Sequence, residues 1–222
     1  MSDGLRRMKS RAQVEPSPYR RAAYDSKGHF ISYWHRIDEI LRQGPDNILE
    51  IGIGNGFVGK YLRDQGYRVT TLDHDPRLEP DIAASVLDLP LKDESFDVVA
   101  CFEVLEHLPF EAVPQALSEL RRVSRQSVLI SVPDANRAYP FHISVPKLGQ
   151  FRFVVSLPRI WPLRNRFDGQ HYWVIDKDGY PMERIGHELR RACLPVLRTY
   201  RPFVSHCHSL LYNGAEVSPP KP

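Results

Sequence analysis

Glu50 stands at the head of a glycine run in Asn47-Ile48-Leu49-Glu50-Ile51-Gly52-Ile53-Gly54-Asn55-Gly56. A glycine loop between a strand and a helix lets backbone approach a ligand closely. The spacing reads two ways. Gly52, Gly54 and Gly56 make GxGxG, whereas Gly54, Gly56 and Gly59 make the dinucleotide pattern GxGxxG, with Asp73 lying 19 positions past Gly54. Glu50 separates the two, because a carboxylate here repels a pyrophosphate and attracts a guest that carries an ammonium group. Asp73 ends the next apolar run and suits a pair of ribose hydroxyls, with Asp75 as its competitor. Asp88, in Val86-Leu87-Asp88-Leu89-Pro90, suits an adenine amino group, with Leu89 packed on the ring. Three acids at three successive strand ends describe one ligand-sized site. The guest such a site would suit is an adenosine joined to a cationic amino acid. The plainer alternatives are a solvated strand end for Glu50 and a turn cap for Asp73.

These acids need a parallel sheet to bring them to one edge. The pattern predicts a helix over about 26–42, where Phe30, Ile31, Trp34, Ile37, Ile40 and Leu41 recur at helical spacing before Gln43-Gly44-Pro45. Strands are predicted at 47–51, 67–73, 82–87, 96–101 and 127–132, with helices through 58–66 and 109–123. This alternation implies an α/β fold with helices on both faces of the sheet. Residues 134–180 show no clean period. A helix from about Pro181 to Cys193 and strands at about 196–203 and 206–212 are predicted beyond them. Residues 1–22 read as a basic flexible tail, 23–213 as one domain with 134–180 as a variable acceptor-side insert, and 214–222 as a second flexible tail.

Four stretches resemble the class I S-adenosylmethionine-dependent methyltransferases, of the sort called type 11. They are Ile48–Gly56, Val69–Pro76, Leu87–Leu108 and Leu117–Pro133, within roughly residues 45–135. The resemblance implies a Rossmann-like, mostly parallel sheet of seven strands, the last antiparallel. It implies S-adenosylmethionine across the strand carboxyl ends, with its methionine end at Glu50 and Gly52. Backbone would approach it closely at Gly54 and Gly56, its ribose would meet Asp73, and its adenine would meet Asp88 and Leu89. Phe102 and Glu103 would form the floor under the sulfonium. Tyr33-Trp34 also resembles the lead-in helix of relatives, and Gly169–Trp173 resembles a segment of some bacterial members.

Methyl transfer needs the acceptor's lone pair held in line with the sulfonium methyl, and a base where the acceptor must lose a proton. His107 and His171 are the candidate bases. His107 closes Glu103-Val104-Leu105-Glu106-His107. In some relatives that methylate catechol-like hydroxyls, such an E-x-x-E-H stretch binds a divalent cation, so Glu103, Glu106 and His107 are candidate metal ligands. Packing under the site is the commoner fate of such a histidine, and no metal is expected. His142 lies in the insert. Ser205-His206-Cys207-His208 puts two histidines on one strand face with no evident third ligand.

Composition narrows the classes. In 222 residues, 42% are hydrophobic and 26% charged, as in an ordinary soluble domain. No apolar run reaches the roughly 18–20 residues that span a bilayer, and the basic N-terminus has no apolar core like that of a secretory signal. Three separated cysteines make neither a disulfide framework nor a metal cage, so the cytoplasm is the expected location. A net charge of +3 is mild, and nucleic acid is not an expected partner. The segment from Lys147 to Arg166 holds five cations and no acid among aromatic and aliphatic residues. It reads as a lid, as a contact for an anionic or lipid-linked acceptor or a membrane surface, or as a packed connector. The expected activity is methyl transfer to a small or medium-sized acceptor, at oxygen before nitrogen or carbon. The alternatives are an NAD(P)-binding oxidoreductase and a non-catalytic S-adenosylmethionine-binding domain.

Overall fold

A computed structural model describes residues 26–135, 137–147, 149–157, 163–200 and 208–213. The two predicted tails and most of the Ser205–His208 tract lie outside them.

Helix α1 (Lys27–Arg42) starts at Ser26, whose side chain accepts a hydrogen bond from the His29 N–H. Gly44, at φ +60°, takes the left-handed turn after it, and its N–H bonds the Leu41 carbonyl. Strand β1 (Asn47–Ile51) pairs in parallel with β2 (Arg68–Asp73) on one side and β4 (Phe96–Phe102) on the other. Between β1 and β2 lies helix α2 (Phe57–Asp64). Strand β3 (Ile82–Ala83) flanks β2, and β5 (Ser124–Pro133) flanks β4, both in parallel. The five strands, parallel as the alternating pattern predicts, run in the order β3-β2-β1-β4-β5. Beyond β5, backbone pairing adds β9 (His208–Asn213), antiparallel to it, and then β8 (Arg198–Tyr200).

Two core layers follow from the period-2 alternation of the central strands. Ile48, Val98, Ala100, Phe102 and Leu129 pack toward Tyr33 and Ile40 of α1 and Val58 and Leu62 of α2. Leu49, Ile51, Val99, Cys101 and Ile130 pack on the other face, toward α3 (Val113–Val123) and α4 (Met182–Arg191). Burial on both faces explains why these strands read as continuous apolar runs. The strand order reverses between β1 and β4, and a crevice at their carboxyl ends is where such sheets hold ligands.

Two expectations are corrected. The third strand stops at Ala83 instead of running to Leu87. Ser85 takes over there: its hydroxyl accepts from the Leu87 N–H at 3.2 Å and its carbonyl from the Asp88 N–H at 3.0 Å, which turns the chain. The insert is also more ordered than its sequence suggests. Strands β6 (Arg137–Val145) and β7 (Gly149–Leu157) form an antiparallel hairpin apart from the main sheet, with Tyr139 opposite Val155 and Ile143 opposite Phe151. Tyr139, Phe141, Ile143, Phe151 and Val155 are exposed.

Candidate functional site

The turn after β1 is built from left-handed glycines. Gly52, Gly54 and Gly56 have φ of +79°, +55° and +74°, a region costly to other residues. A Cβ at Gly52 would lie 2.2 Å from Cγ2 of Val104, so the glycine lets the loop rest against the chain that follows β4. Gly56 is the N-cap of α2. The loop is also held from α1, where the Tyr33 hydroxyl accepts from Asn55 Nδ2 at 3.0 Å. Tyr33 stacks on Phe57 with ring centroids 5.0 Å apart.

Glu50 lies beneath this loop. It is buried, and its Oε2 has no hydrogen-bond partner. Burial raises its pKa to about 7, against the opposing pull of Arg36, Arg63 and the Gly59 N–H. Asp73 fastens the loop from the neighbouring strand. Its Oδ2 accepts from the Ile53 N–H at 3.0 Å and its Oδ1 from the Asp75 N–H at 2.9 Å. Asp75 is committed elsewhere, capping a short turn at Pro76–Leu78 and pairing with Arg77 at 2.8 Å. Two buried acids therefore flank the glycine turn, and of the two ribose candidates Asp73 is the one joined to it.

Asp88 is exposed and Leu89 buried in the turn after β3. That turn is strapped to α3. The Leu89 N–H donates to Glu119 Oε2 at 2.8 Å, and Arg122 donates to the carbonyls of Leu89 and Leu91 at 2.9 and 2.7 Å. Arg122 also bonds both oxygens of Glu119.

Phe102 is buried at the end of β4, with the Arg36 guanidinium 5.4 Å from its ring centroid. Glu103 follows at φ +56°, a strained conformation for a side-chain-bearing residue. It is held there by the Ser131 hydroxyl, which donates to Oε1 at 2.7 Å, and by the Ser131 carbonyl, which accepts from its N–H at 3.0 Å. Glu106 and His107 then lie in a 3-10 turn, Leu105–His107. The His107 Nδ1 meets the Gln170 carbonyl at 3.0 Å, and its ring centroid is 5.1 Å from that of His171. Burial lowers the His107 pKa, so the ring is neutral near pH 7. The predicted metal set needs correction. Among the described residues the groups close enough to share an ion are Glu106, His107 and His171. Glu103, bonded to Ser131, is not one of them.

Three comparisons bear on this geometry. A family model described as a methyltransferase domain matches residues 49–132. Over that stretch the chain is thus similar to methyltransferase domains. A probable S-adenosylmethionine-dependent methyltransferase of Mycolicibacterium smegmatis is 34% identical over 123 residues, covering 48% of this chain and 47% of that protein. The chain spans about half the length of the curated relatives it matches. The fold also matches solved structures. One is the 1,6-didemethyltoxoflavin-N1-methyltransferase of Burkholderia thailandensis, with S-adenosylhomocysteine bound (TM-score 0.56, 17% identity, 89% of this chain and 84% of that one). Another is a SAM-dependent methyltransferase from Aquifex aeolicus (TM-score 0.56, 15% identity, 90% and 98%).

Within and around residues 49–132, three groups carry no clear signal in the sequence. Arg36 reaches Phe102 and the field of Glu50 from α1. Ser131 sets Glu103. Trp173, fully buried, donates from Nε1 to the Leu108 carbonyl at 3.1 Å and anchors the segment that carries His171. An apolar stripe with a single cation was the only available signal for Arg36, and nothing in the sequence pairs Ser131 with Glu103.

Proposed function

We propose that the chain transfers a methyl group from S-adenosylmethionine to a small or medium-sized acceptor, at oxygen in preference to nitrogen or carbon. The observation that carries this reading is the acidic setting of the glycine turn. Glu50 lies beneath it with an unpartnered buried oxygen, and Asp73 is bonded to its Ile53 N–H. Such a loop suits a cationic amino acid and repels a pyrophosphate. The cofactor, when bound, supplies an electrophilic methyl on a sulfonium.

The chain's own groups would divide the remaining work. Glu50 favours the ammonium through the loop, with Gly52, Gly54 and Gly56 giving close backbone approach. Asp73 takes the ribose hydroxyls, Asp88 and Leu89 hold the adenine, and Phe102 with Glu103 floors the reacting centre. His107 or His171 would take the acceptor's proton. A base suits a hydroxyl acceptor, which is the support for oxygen.

The sheet is proposed as the complete seven-stranded one with an antiparallel last strand, supported by the pairing of β9 with β5. Residues 134–180 are proposed to cover the acceptor. The exposed apolar side chains of the β6–β7 hairpin, in a stretch rich in cations, support an anionic or lipid-linked acceptor and peripheral contact with a membrane surface. No helix among the described residues is long and apolar enough to cross a membrane. A cytoplasmic location is proposed on the strength of the sparse cysteines.

Calorimetry with S-adenosylmethionine, S-adenosylhomocysteine and NAD, followed by transfer of labelled methyl into acceptor extracts, tests the reading. Uptake of the first two ligands without NAD, followed by labelled product, is expected. Binding without transfer points to a non-catalytic domain, and NAD binding alone overturns the assignment.

A further inference from the structure

We propose that Glu106, His107 and His171 form a divalent metal site. One ligand atom from each of the three lies within 4.8 Å of the others. Around a bound zinc ion the spacing is about 3.3 Å, as follows from metal–nitrogen bonds of ~2.0–2.1 Å in a tetrahedron. A bound ion would draw the three ligand atoms together by that difference.

Two independent features point to an ion. The first is Glu106. It is 0% exposed, and no hydrogen bond from another residue's N–H or hydroxyl reaches its carboxyl group, which lies against that of Glu103. A carboxylate buried without a donor is costly, and a cation beside it removes the cost. Glu103 adds a second negative field nearby.

The second feature is the orientation of the imidazoles. The His107 Nδ1 faces the Gln170 carbonyl at 3.0 Å, and a carbonyl only accepts, so Nδ1 carries the proton. The His171 Nδ1 faces Asp168 Oδ2 at 3.0 Å and donates likewise. In its neutral form each ring keeps its Nε2 lone pair, and both have the outer hydrogen bond that metal-binding histidines use to fix tautomer and direction. Asp168 is itself set for this. Its Oδ1 accepts from the N–H groups of Gln170 and His171 at 2.9 and 2.7 Å. The Tyr172 N–H donates to the Glu106 carbonyl at 2.8 Å and fixes the separation of the two segments.

Two imidazoles and one carboxylate select a borderline transition metal, such as Zn²⁺, Fe²⁺, Co²⁺ or Mn²⁺, over Mg²⁺ or Ca²⁺. Three protein ligands leave coordination positions open. On the methyl-transfer reading those positions are available to an acceptor oxygen, whose proton the bound ion would help to release in place of the two imidazoles, and that clause alone rests on it.

The test measures metal, without S-adenosylmethionine. The full chain, stripped with chelator, is titrated with Co²⁺ and Zn²⁺, and bound ion is read by elemental analysis and by the Co²⁺ visible spectrum. One ion per chain is expected, with affinity reduced at least tenfold in Glu106→Gln, His107→Gln and His171→Gln and less in Asp168→Asn. Far-UV circular dichroism identifies any variant that fails to fold, and Asp168→Asn then serves in its place. No bound ion in the wild type overturns the proposal. So does an ion whose affinity follows His206→Gln or His208→Gln instead.

Discussion

Gly59 sits directly against the carboxylate of Glu50: a Cβ placed there would lie 2.4 Å from Oε2 and 3.1 Å from Cγ2 of Thr71. The glycine is what allows α2 to pack down over a buried acid. Gly59→Ala should displace Glu50 and lift the first turn of α2, costing about 1–3 kcal/mol by the usual measure of overpacking. It should weaken S-adenosylmethionine binding in parallel. Urea unfolding and calorimetry check the two losses, and a variant with unchanged stability and affinity would refute this account of the position.

The pKa of Glu50 gives a pH signature with a definite sign. Burial, the largest cause, raises it from 4.5 to about 7 in the folded chain. The folded state therefore holds this proton more tightly than the unfolded one. The stabilisation is fully present below about pH 4.5 and is lost as pH rises through about 7. Glu50→Gln should flatten the wild-type decline across that window. Affinity for the cationic guest should run the other way in the wild type, rising as Glu50 ionises, and should be lower and flat in the variant. Denaturant melts and calorimetry from pH 5 to 8 measure both.

Gly52 makes the closest approach across the crevice, 2.2 Å from a Cβ to Cγ2 of Val104. Gly52→Ala should destabilise the chain and cut cofactor affinity at least tenfold. Val104→Ala in the same chain removes the clash but leaves the cost of an alanine at φ +79°, about 1 kcal/mol. The double variant is expected to recover part of the stability and never all of it. Additive losses in a double-mutant cycle would show that Val104 is not the obstacle.

Arg122 ties the turn after β3 to α3 through the carbonyls of Leu89 and Leu91 and the carboxylate of Glu119. Arg122→Met keeps most of the aliphatic stem and removes every donor. It is expected to cost roughly 2–4 kcal/mol, since hydrogen bonds to charged groups are worth about 1.5–3 kcal/mol each and are partly replaced by water. Amide exchange at Leu89 and Leu91 should quicken more than at β1. Uniform quickening across the sheet would mean global loosening instead.

What the sequence could tell depended on how far apart the cooperating residues lie. The β1 strand, the glycine turn and the acid at its head are contiguous, and burial on both faces leaves an apolar run that is hard to misread. The third strand was overread because Ile82–Leu87 is apolar at its ends while Ser85, in its middle, diverts the backbone. The hairpin was missed although Tyr139, Phe141, Ile143 and Val145 alternate with period 2, because Pro140 within the run argues against a strand. Glu106 and His171 are 65 positions apart across a stretch without clear periodicity. Their meeting rests on tertiary contacts such as Trp173 against Leu108, which no local pattern records.

Three tethers join the segment carrying His171 to the turn carrying His107: Gln170 carbonyl to imidazole, Tyr172 N–H to Glu106 carbonyl, and the Trp173 indole to Leu108. None of them involves the hairpin. On the reading that residues 134–180 cover the acceptor, the stretch from 137 to 157 lies outside that grip, and changes of acceptor would come most cheaply from rewriting that ribbon alone.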